Sequence, residues 1–290
     1  MPTRRNPLRQ LRELWPLIPA CILLLLFYAL PLLLLLPNSF ATKNGWSGSI
    51  YVSVLGDSYY WIIIGRSFWI AGISTLLCLV LGYPVAYYLV RLVSSRFRRY
   101  AYMIVIAPLF TSAVIRAMAW VVILGRRGML NEALLAADLV DSPLRILYSE
   151  SAIVVGLVYI MIPFMVLTIA AVLENVDSTL EEAARDLGAS PLVTFFKVTL
   201  PLTLPGVVAG AFLVFALSLS SYVTPALLGG GRLKVIATLI FEQFMRVFNW
   251  PLGTTIASVL LIIALLVIWA YNKALTHRFV AGRRGAAATL

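Results

Sequence analysis

Residues 151–173 read SAIVVGLVYIMIPFMVLTIAAVL, 23 consecutive positions without a charged side chain. Coiled as a helix at ~1.5 Å per residue, such a run crosses the ~30 Å hydrocarbon layer of a bilayer. Working outward in both directions, five more stretches have the same character: 14–42, 67–90, 100–125, 198–231 and 247–272. The six together carry one charge, Arg116, and the other 34 charges fall in the 128 residues between and beyond them. A water-soluble chain interleaves charge with apolar residues at helical or strand period, so this segregation excludes that class. A β-barrel is excluded too, because its strands would alternate polarity over ~10 residues. The sequence predicts an all-α membrane protein with six transmembrane helices near 15–36, 67–90, 101–124, 151–173, 203–223 and 251–271. These divide the chain into an arm (1–14), a transmembrane domain (15–272) that includes the acidic loop 174–201, and a tail (273–290).

Composition removes several kinds of chemistry. Cys21 and Cys78 both lie inside predicted spans, so no disulfide framework is implied. The single histidine, His277, sits in the basic tail, which leaves no His-rich metal site. No lysine follows a glycine, so a G-x-x-x-x-G-K-[ST] phosphate loop is absent, and any ATP that drives the protein is bound by another chain. No nucleophile–base pair of an enzyme stands out. The net charge of +11 comes from residues flanking the spans, not from one soluble face, which argues against nucleic acid.

Those flanking charges also set the orientation. With alternating helices, Lys and Arg on the side of the N-terminal arm number 14, in the arm, 91–99, 174–197 and the tail, against 8 on the other side. The excess places both termini in the cytoplasm. The first apolar run is about twice the usual 7–15 residues of a signal-peptide core and contains Pro19, Pro31 and Pro37, so it reads as a retained helix.

Along the chain, 43–66 is an outward loop with room for a short surface helix. The second helix ends at Arg91, Arg96, Arg98 and Arg99, and the third runs to Gly125. Asn131 to Ala137 reads as a capped amphipathic element on the outer side. The fifth helix carries Gly206-x-x-x-Gly210, a small-residue face suited to close helix packing. It is expected to turn out at Thr224-Pro225 and Gly229-Gly230-Gly231. Trp250-Pro251 opens the sixth, with proline in the first turn.

The loop 174–201 reads ENVDSTLEEAARDLGASPLVTFFKVTLP. Ser178-x-x-Glu181 and Thr179-x-x-Glu182 both have the capping-box pattern. Val176, Leu180, Ala183, Ala184 and Leu187 fall on one helical stripe, and Gly188 is a helix stop. Ser190-Pro191 restarts a helix as cap and first-turn proline, and Pro201 and Pro205 break or kink the chain beyond it. The expectation is a short helix, a glycine turn and a second short helix on the cytoplasmic face. With five acids against two bases, an anionic membrane surface repels this loop. Two uses remain open on these grounds: docking into a groove of another protein, or a solvated connector.

Glu182-Ala183-Ala184, then Gly188 after three residues, Val198 after nine more, and Leu200-Pro201, resembles the EAA loop of ABC importer permeases. The one departure is Val198 where that pattern has isoleucine. The stretch from Arg116 to Trp250, especially Gly125-Arg126-Arg127-Gly128 and Ser221 through Gly231, is similar to permease subunits of spermidine/putrescine importers. The resemblance implies a type I (MetI-like) permease fold in the bacterial inner membrane, paired with a second permease subunit, a heterodimer being favoured. It also implies two cytoplasmic ABC ATPase subunits and a soluble extracytoplasmic substrate-binding protein, with no cofactor on this chain and ATP and Mg on the ATPase. By carry-over, Thr179 to Leu187 is the coupling helix and Gly188 the turn that aims it. Glu182, Arg185 and Asp186 form its polar rim and Ala183 and Ala184 its small contact surface, on the ridge that Leu180 and Leu187 extend by helical spacing. The solute implied is a polyamine or a similar small organic molecule. Amino-acid- or opine-type solutes are the alternative, and an ion-coupled carrier lacks the acidic or histidine relay it would need inside the spans.

The substrate path is less legible. Ser218, Ser221, Tyr222 and Thr224 on the fifth helix, and Trp120 on the third, are candidates to line it, although hydroxyls in membrane helices also bond their own backbone. Arg116, within a span, either bonds helix-end carbonyls or snorkels, or else faces the path.

Overall fold

The computed structural model describes residues 17–42 and 45–267. The arm 1–14, the tail 273–290 and His277 lie outside the described residues, as does the end of the expected span 251–271. In chain order the elements are α1 (Leu17–Asn38), β1 (Ala41–Thr42), β2 (Gly45–Trp46), α2 (Ser49–Gly56) and α3 (Ser58–Tyr87), which continues through a π turn, Tyr88–Leu92. Then come α4 (Ser95–Ile106) with a 3-10 turn Ala107–Phe110, α5 (Ala113–Leu124), α6 (Met129–Ala136), α7 (Glu150–Leu173) and α8 (Thr179–Asp186). α9 (Pro191–Thr194) leads through a π turn, Phe195–Thr199, into α10 (Leu200–Ser220), followed by α11 (Val223–Leu228) and α12 (Ile236–Met245). The last described helix is α13 (Trp250–Val267). The strands form one antiparallel hairpin, Ala41 opposite Trp46 and Thr42 opposite Gly45.

Among the described residues, four helical stretches are long and apolar enough to cross a membrane: Ser58–Leu92, Glu150–Leu173, Pro191–Ser220 and Trp250–Val267. Ser95–Phe110 with Ala113–Ala136 makes a fifth when a pair bent by 90° is counted as one span. α1 adds 22 residues without a charge.

Several expectations change. First, the third run is not one continuous helix over 101–124: it breaks between Phe110 and Ala113. Pro108 lacks a donor, and its carbonyl is taken by Thr111 Oγ1 (2.8 Å) and by Arg116 Nη1. Arg116 Nη1 also bonds the Thr111 carbonyl and, at 3.2 Å, Thr111 Oγ1. Of the readings of Arg116, the bond to helix-end carbonyls is the one observed, and the guanidinium clamps the bend.

Second, the fifth run breaks at Ser221-Tyr222 and restarts as α11, so Thr224 and Pro225 lie inside a helix and do not end one. The turn out follows at Gly230 (φ +61°) and Gly231 (φ +73°), a backbone that suits glycine. Third, Ser190-Pro191 does not start a separate surface helix, because 191–220 runs on as one stretch. The Leu200 N–H reaches back five residues to the Phe195 carbonyl, a π turn beside Pro201, whose missing donor leaves one ordinary helix bond unmade there.

The chain divides into two compact units. In residues 61–239, α7 is the centre, more fully buried than the other long apolar helices described. Its Ile153, Leu157, Met165, Ile169 and Leu173 are shut from solvent. α10 lies against it through Gly206 and Gly210, as the small-residue face predicts: a Cβ at Gly210 would run into Thr168 Oγ1. α3 reaches α7 where Cys78 Sγ donates to the Val158 carbonyl (3.7 Å). Arg66 ends the expected loop 43–66, yet lies inside the 35-residue helical stretch Ser58–Leu92. It is accommodated by Glu150 Oε1 (3.1 Å) and the Lys234 carbonyl (3.4 Å).

Asn131 is not a helix cap. It is fully buried in α6, donates through Nδ2 to the carbonyls of Gly125 and Leu144 (both 3.0 Å), and accepts from the Leu144 N–H (2.8 Å). It pins the loop that follows α6 back to the end of α5. In the other unit, residues 17–60 with 240–267, Ser39 joins three elements. Its Oγ accepts from Tyr51 (2.8 Å) and its carbonyl accepts from Thr255 Oγ1 (3.0 Å).

Candidate functional site

α8 is short, and its two ends are built differently from the middle. At its start Asp177 Oδ1 accepts the Thr179 N–H (3.0 Å), a bond that holds this exposed carboxyl below its ordinary pKa. Ser178 heads the helix without a side-chain bond, so neither capping box forms. At its end the Gly188 N–H reaches Arg185 O (2.8 Å) and the Ala189 N–H reaches Ala184 O (3.0 Å). That pair of bonds is a Schellman closure, and it requires the left-handed φ of +83° that Gly188 supplies. Ser190 Oγ then accepts the Val193 N–H (3.4 Å), so α9 starts on a serine cap followed by proline.

The helix turns one acid inward and the rest outward. Glu181 is 3% exposed. Its Oε1 is 3.1 Å from Arg91 Nε, and its Oε2 accepts from Tyr87 OH (3.1 Å). Arg91 Nη2 donates in addition to the Val176 carbonyl (2.9 Å), which ties down the approach to α8. Four residues before Tyr87, Tyr83 OH shares a hydrogen with Thr203 Oγ1 of α10 (2.7 Å) and its ring packs edge-on to Phe195 (5.1 Å). Tyr83, Tyr87 and Arg91 recur every four residues and so share one face of α3 and its π turn.

On the other side of α8 the expected docking residues are open. Leu187 is 89% exposed and Leu180 47%. Glu182, Ala183, Arg185, Asp186 and Gly188 are exposed, and Ala184 is half-buried. The fifth stripe residue, Val176, is instead drawn against the core. The result is an apolar ridge rimmed by charge, held on a base that a buried ion pair makes rigid.

The proposed path residues lie on helices that pack together. α11 packs on α5 and α7. Thr224 is buried, and its Cγ2 would be 2.7 Å from a Cβ at Gly156 of α7. Trp120 on α5 meets Tyr159 on α7 edge to face (5.7 Å). Ser218 is buried, with no hydrogen-bond partner for its Oγ. Ser221 and Tyr222 form the break between α10 and α11 and are half-buried. Among the described residues no group of three His, Cys, Asp or Glu side chains is placed to hold a metal.

Residues 78–279 match the family model described as binding-protein-dependent transport system inner membrane component. The chain belongs to that family and is a permease of the ABC importer class, a membrane component of such a system. Among its relatives is the spermidine/putrescine transport system permease protein PotB of Escherichia coli (strain K12), 37% identical over 264 residues, covering 88% of this chain and 96% of that one. The fold is shared with a bacterial ABC transporter involved in import of the acidic polysaccharide alginate: TM-score 0.77, 19% identity, 93% of this chain and 98% of that one. The same fold recurs in the alginate transporter in complex with its alginate pentasaccharide-bound periplasmic protein: TM-score 0.74, 19% identity, 91% of this chain and 95% of that one.

Proposed function

We propose that this chain forms half of the translocation path of an ATP-driven importer for spermidine, putrescine or a similar polyamine. α8 is its contact with a cytoplasmic ATPase. The observation that carries the docking role is the ridge of Leu180, Ala183, Ala184 and Leu187 on a helix whose back is fixed by Glu181. An exposed apolar ridge on a rigid base suits a groove in another protein, whereas a solvated connector would gain nothing from it. The polyamine rests on 37% identity with PotB across nearly the whole chain.

In this reading ATP and Mg are held by two ATPase subunits, and hydrolysis is theirs. A soluble binding protein delivers the solute outside, and a second permease subunit, a heterodimer being favoured, completes the path. α1 serves as the first of six spans, and both termini face the cytoplasm, in line with the excess of Lys and Arg on that side. Ser218, Ser221, Tyr222, Thr224 and Trp120 line or border the route. The hydroxyl oxygens of the first four accept hydrogen bonds from ammonium groups, while the cation of Arg116 is engaged by carbonyls at the bend. ATP binding shifts the bundle between two packings, and α8 passes on the displacement.

The test is a thermal-shift screen of the binding protein that co-purifies with this chain, followed by uptake of the best ligand. Stabilisation by spermidine or putrescine, with amino acids inert, is expected. Stabilisation by amino acids or opines alone would overturn the polyamine assignment.

A further inference from the structure

We propose that Tyr83, Tyr87 and Arg91 act as positioning residues, a ladder on one face of α3 and its π turn through which displacement of α8 is passed into the membrane helices. The inference rests on the reading that α8 docks the ATPase. Its geometry is independent of that reading.

A short surface helix attached only by its two loop connections would yield when its partner moves, and little of the movement would reach the bundle. α8 has a further attachment. Both oxygens of Glu181 are engaged, one by Arg91 Nε at 3.1 Å and one by Tyr87 OH at 3.1 Å, and the group is sealed from solvent. Arg91 also grips the chain ahead of α8 at the Val176 carbonyl (2.9 Å), so both the helix and its lead-in are bound to one side chain. One turn further along α3, Tyr83 joins α10 through Thr203 (2.7 Å) and Phe195 (5.1 Å). Thr203 Oγ1 is itself bonded to the Thr199 carbonyl (2.9 Å) at the π turn that opens α10. α8 is thereby connected by directional bonds to α3, and through α3 to α10, each of them part of a membrane-crossing stretch.

With the Glu181 side chain 4% and the Arg91 side chain 14% exposed, the ion pair is weakly screened and holds a defined geometry. Replacing one partner leaves the other charge buried and unpaired, so the contact behaves as a fixed joint and does not slide. The second acid of the adjacent Glu181-Glu182 pair faces out, so the two carboxylates serve different sides: Glu182 the docking rim, Glu181 the bundle.

The experiment uses the complete importer with its binding protein in lipid vesicles, and Arg91→Met, Glu181→Gln, Tyr87→Phe and Arg91→Lys. Three readouts are taken: ATPase co-purification, ATP hydrolysis, and solute moved per ATP. Arg91→Met and Glu181→Gln are expected to retain the ATPase and hydrolyse ATP, while solute moved per ATP falls about 2- to 30-fold, the span of couplings carried by single residues. Tyr87→Phe and Arg91→Lys, which keep part of the contact, should fall less.

Because an unpaired buried charge also endangers folding, a second arm joins Arg91→Cys to Glu181→Cys with a short thiol-specific crosslinker, after Cys21→Ala and Cys78→Ala. The joined pair should transport, and cleaving the crosslinker should uncouple it. Wild-type solute per ATP in Arg91→Met, loss of the ATPase from that variant, or inactivity of the joined pair would each overturn the ladder. If Ala184→Glu still holds the ATPase, it is the docking role of α8 that has failed, whatever the ladder variants do.

Discussion

Gly188→Val isolates the turn that aims α8. Gly188 sits at φ +83°, and a Cβ built there meets nothing within 4 Å. The penalty is therefore conformational and not a clash: ~1–2 kcal/mol for an L-residue in left-handed backbone. That is a factor of about 5–30 in the ratio of closed to open turn, the closed form being the one that keeps the Schellman bonds to Arg185 and Ala184. If docking requires the closed turn, the apparent affinity for the ATPase falls by up to the same factor while intrinsic affinity is unchanged. The assay is titration of ATPase onto the permease in nanodiscs, with membrane insertion and uptake measured in parallel. Gly188→Asn is the control, because asparagine enters left-handed backbone more readily, and it should lose less. Wild-type affinity and uptake in Gly188→Val, or equal damage from Gly188→Asn, would refute the reasoning.

Three further predictions concern packing. Ala184→Glu should abolish ATPase capture and uptake, because a charge in the packed centre must be desolvated, while Asp186→Asn keeps most of both, since an exposed rim charge is worth about 0–1 kcal/mol. Pull-down at low and high salt reads this directly, and greater damage from Asp186→Asn would make the docking electrostatic. Gly210→Leu should drive α10 off α7, where Thr168 Oγ1 and Met165 Sδ occupy the space a side chain needs, lowering stability by about 1–3 kcal/mol. An unchanged thermal transition in detergent would contradict that. Asn131→Leu strands the Gly125 and Leu144 carbonyls and the Leu144 N–H, at about 1–3 kcal/mol for each that water cannot reach. Protease cleavage within 125–144 should rise, and wild-type resistance would count against the clamp.

What could be read from the sequence was local. The apolar runs announce helices because every backbone group in hydrocarbon must bond within its own segment. Gly188 and Ser190-Pro191 are visible because a left-handed stop and a serine cap are each set by neighbouring residues. The helix break at Phe110 is different. Pro84 and Pro163 lie inside continuous α3 and α7, so a proline in an apolar run does not decide between kink and break. At Pro108 the decision comes from Thr111 and Arg116, which compete for the carbonyls a straight helix would use.

The inward turn of Glu181 is harder still. Glu181 and Glu182 have the same local signature, and what distinguishes them is an arginine 90 residues away. The four-residue recurrence of Tyr83, Tyr87 and Arg91 marks one helix face as polar, but nothing in it names the partner. Ser178-x-x-Glu181 suggested a cap because the pattern fits, and the ion pair with Arg91 outweighs that local bond.

The central claim is that the energy for transport comes from ATP hydrolysed on a partner and delivered through α8. It is tested most directly by spermidine uptake into vesicles that hold either this chain alone or the complete importer with its binding protein. The account predicts no uptake by the chain alone, and uptake by the complex that stops when ATP is withheld while ion gradients are maintained. Uptake by the isolated chain, or uptake by the complex that persists on an ion gradient without ATP, would contradict it.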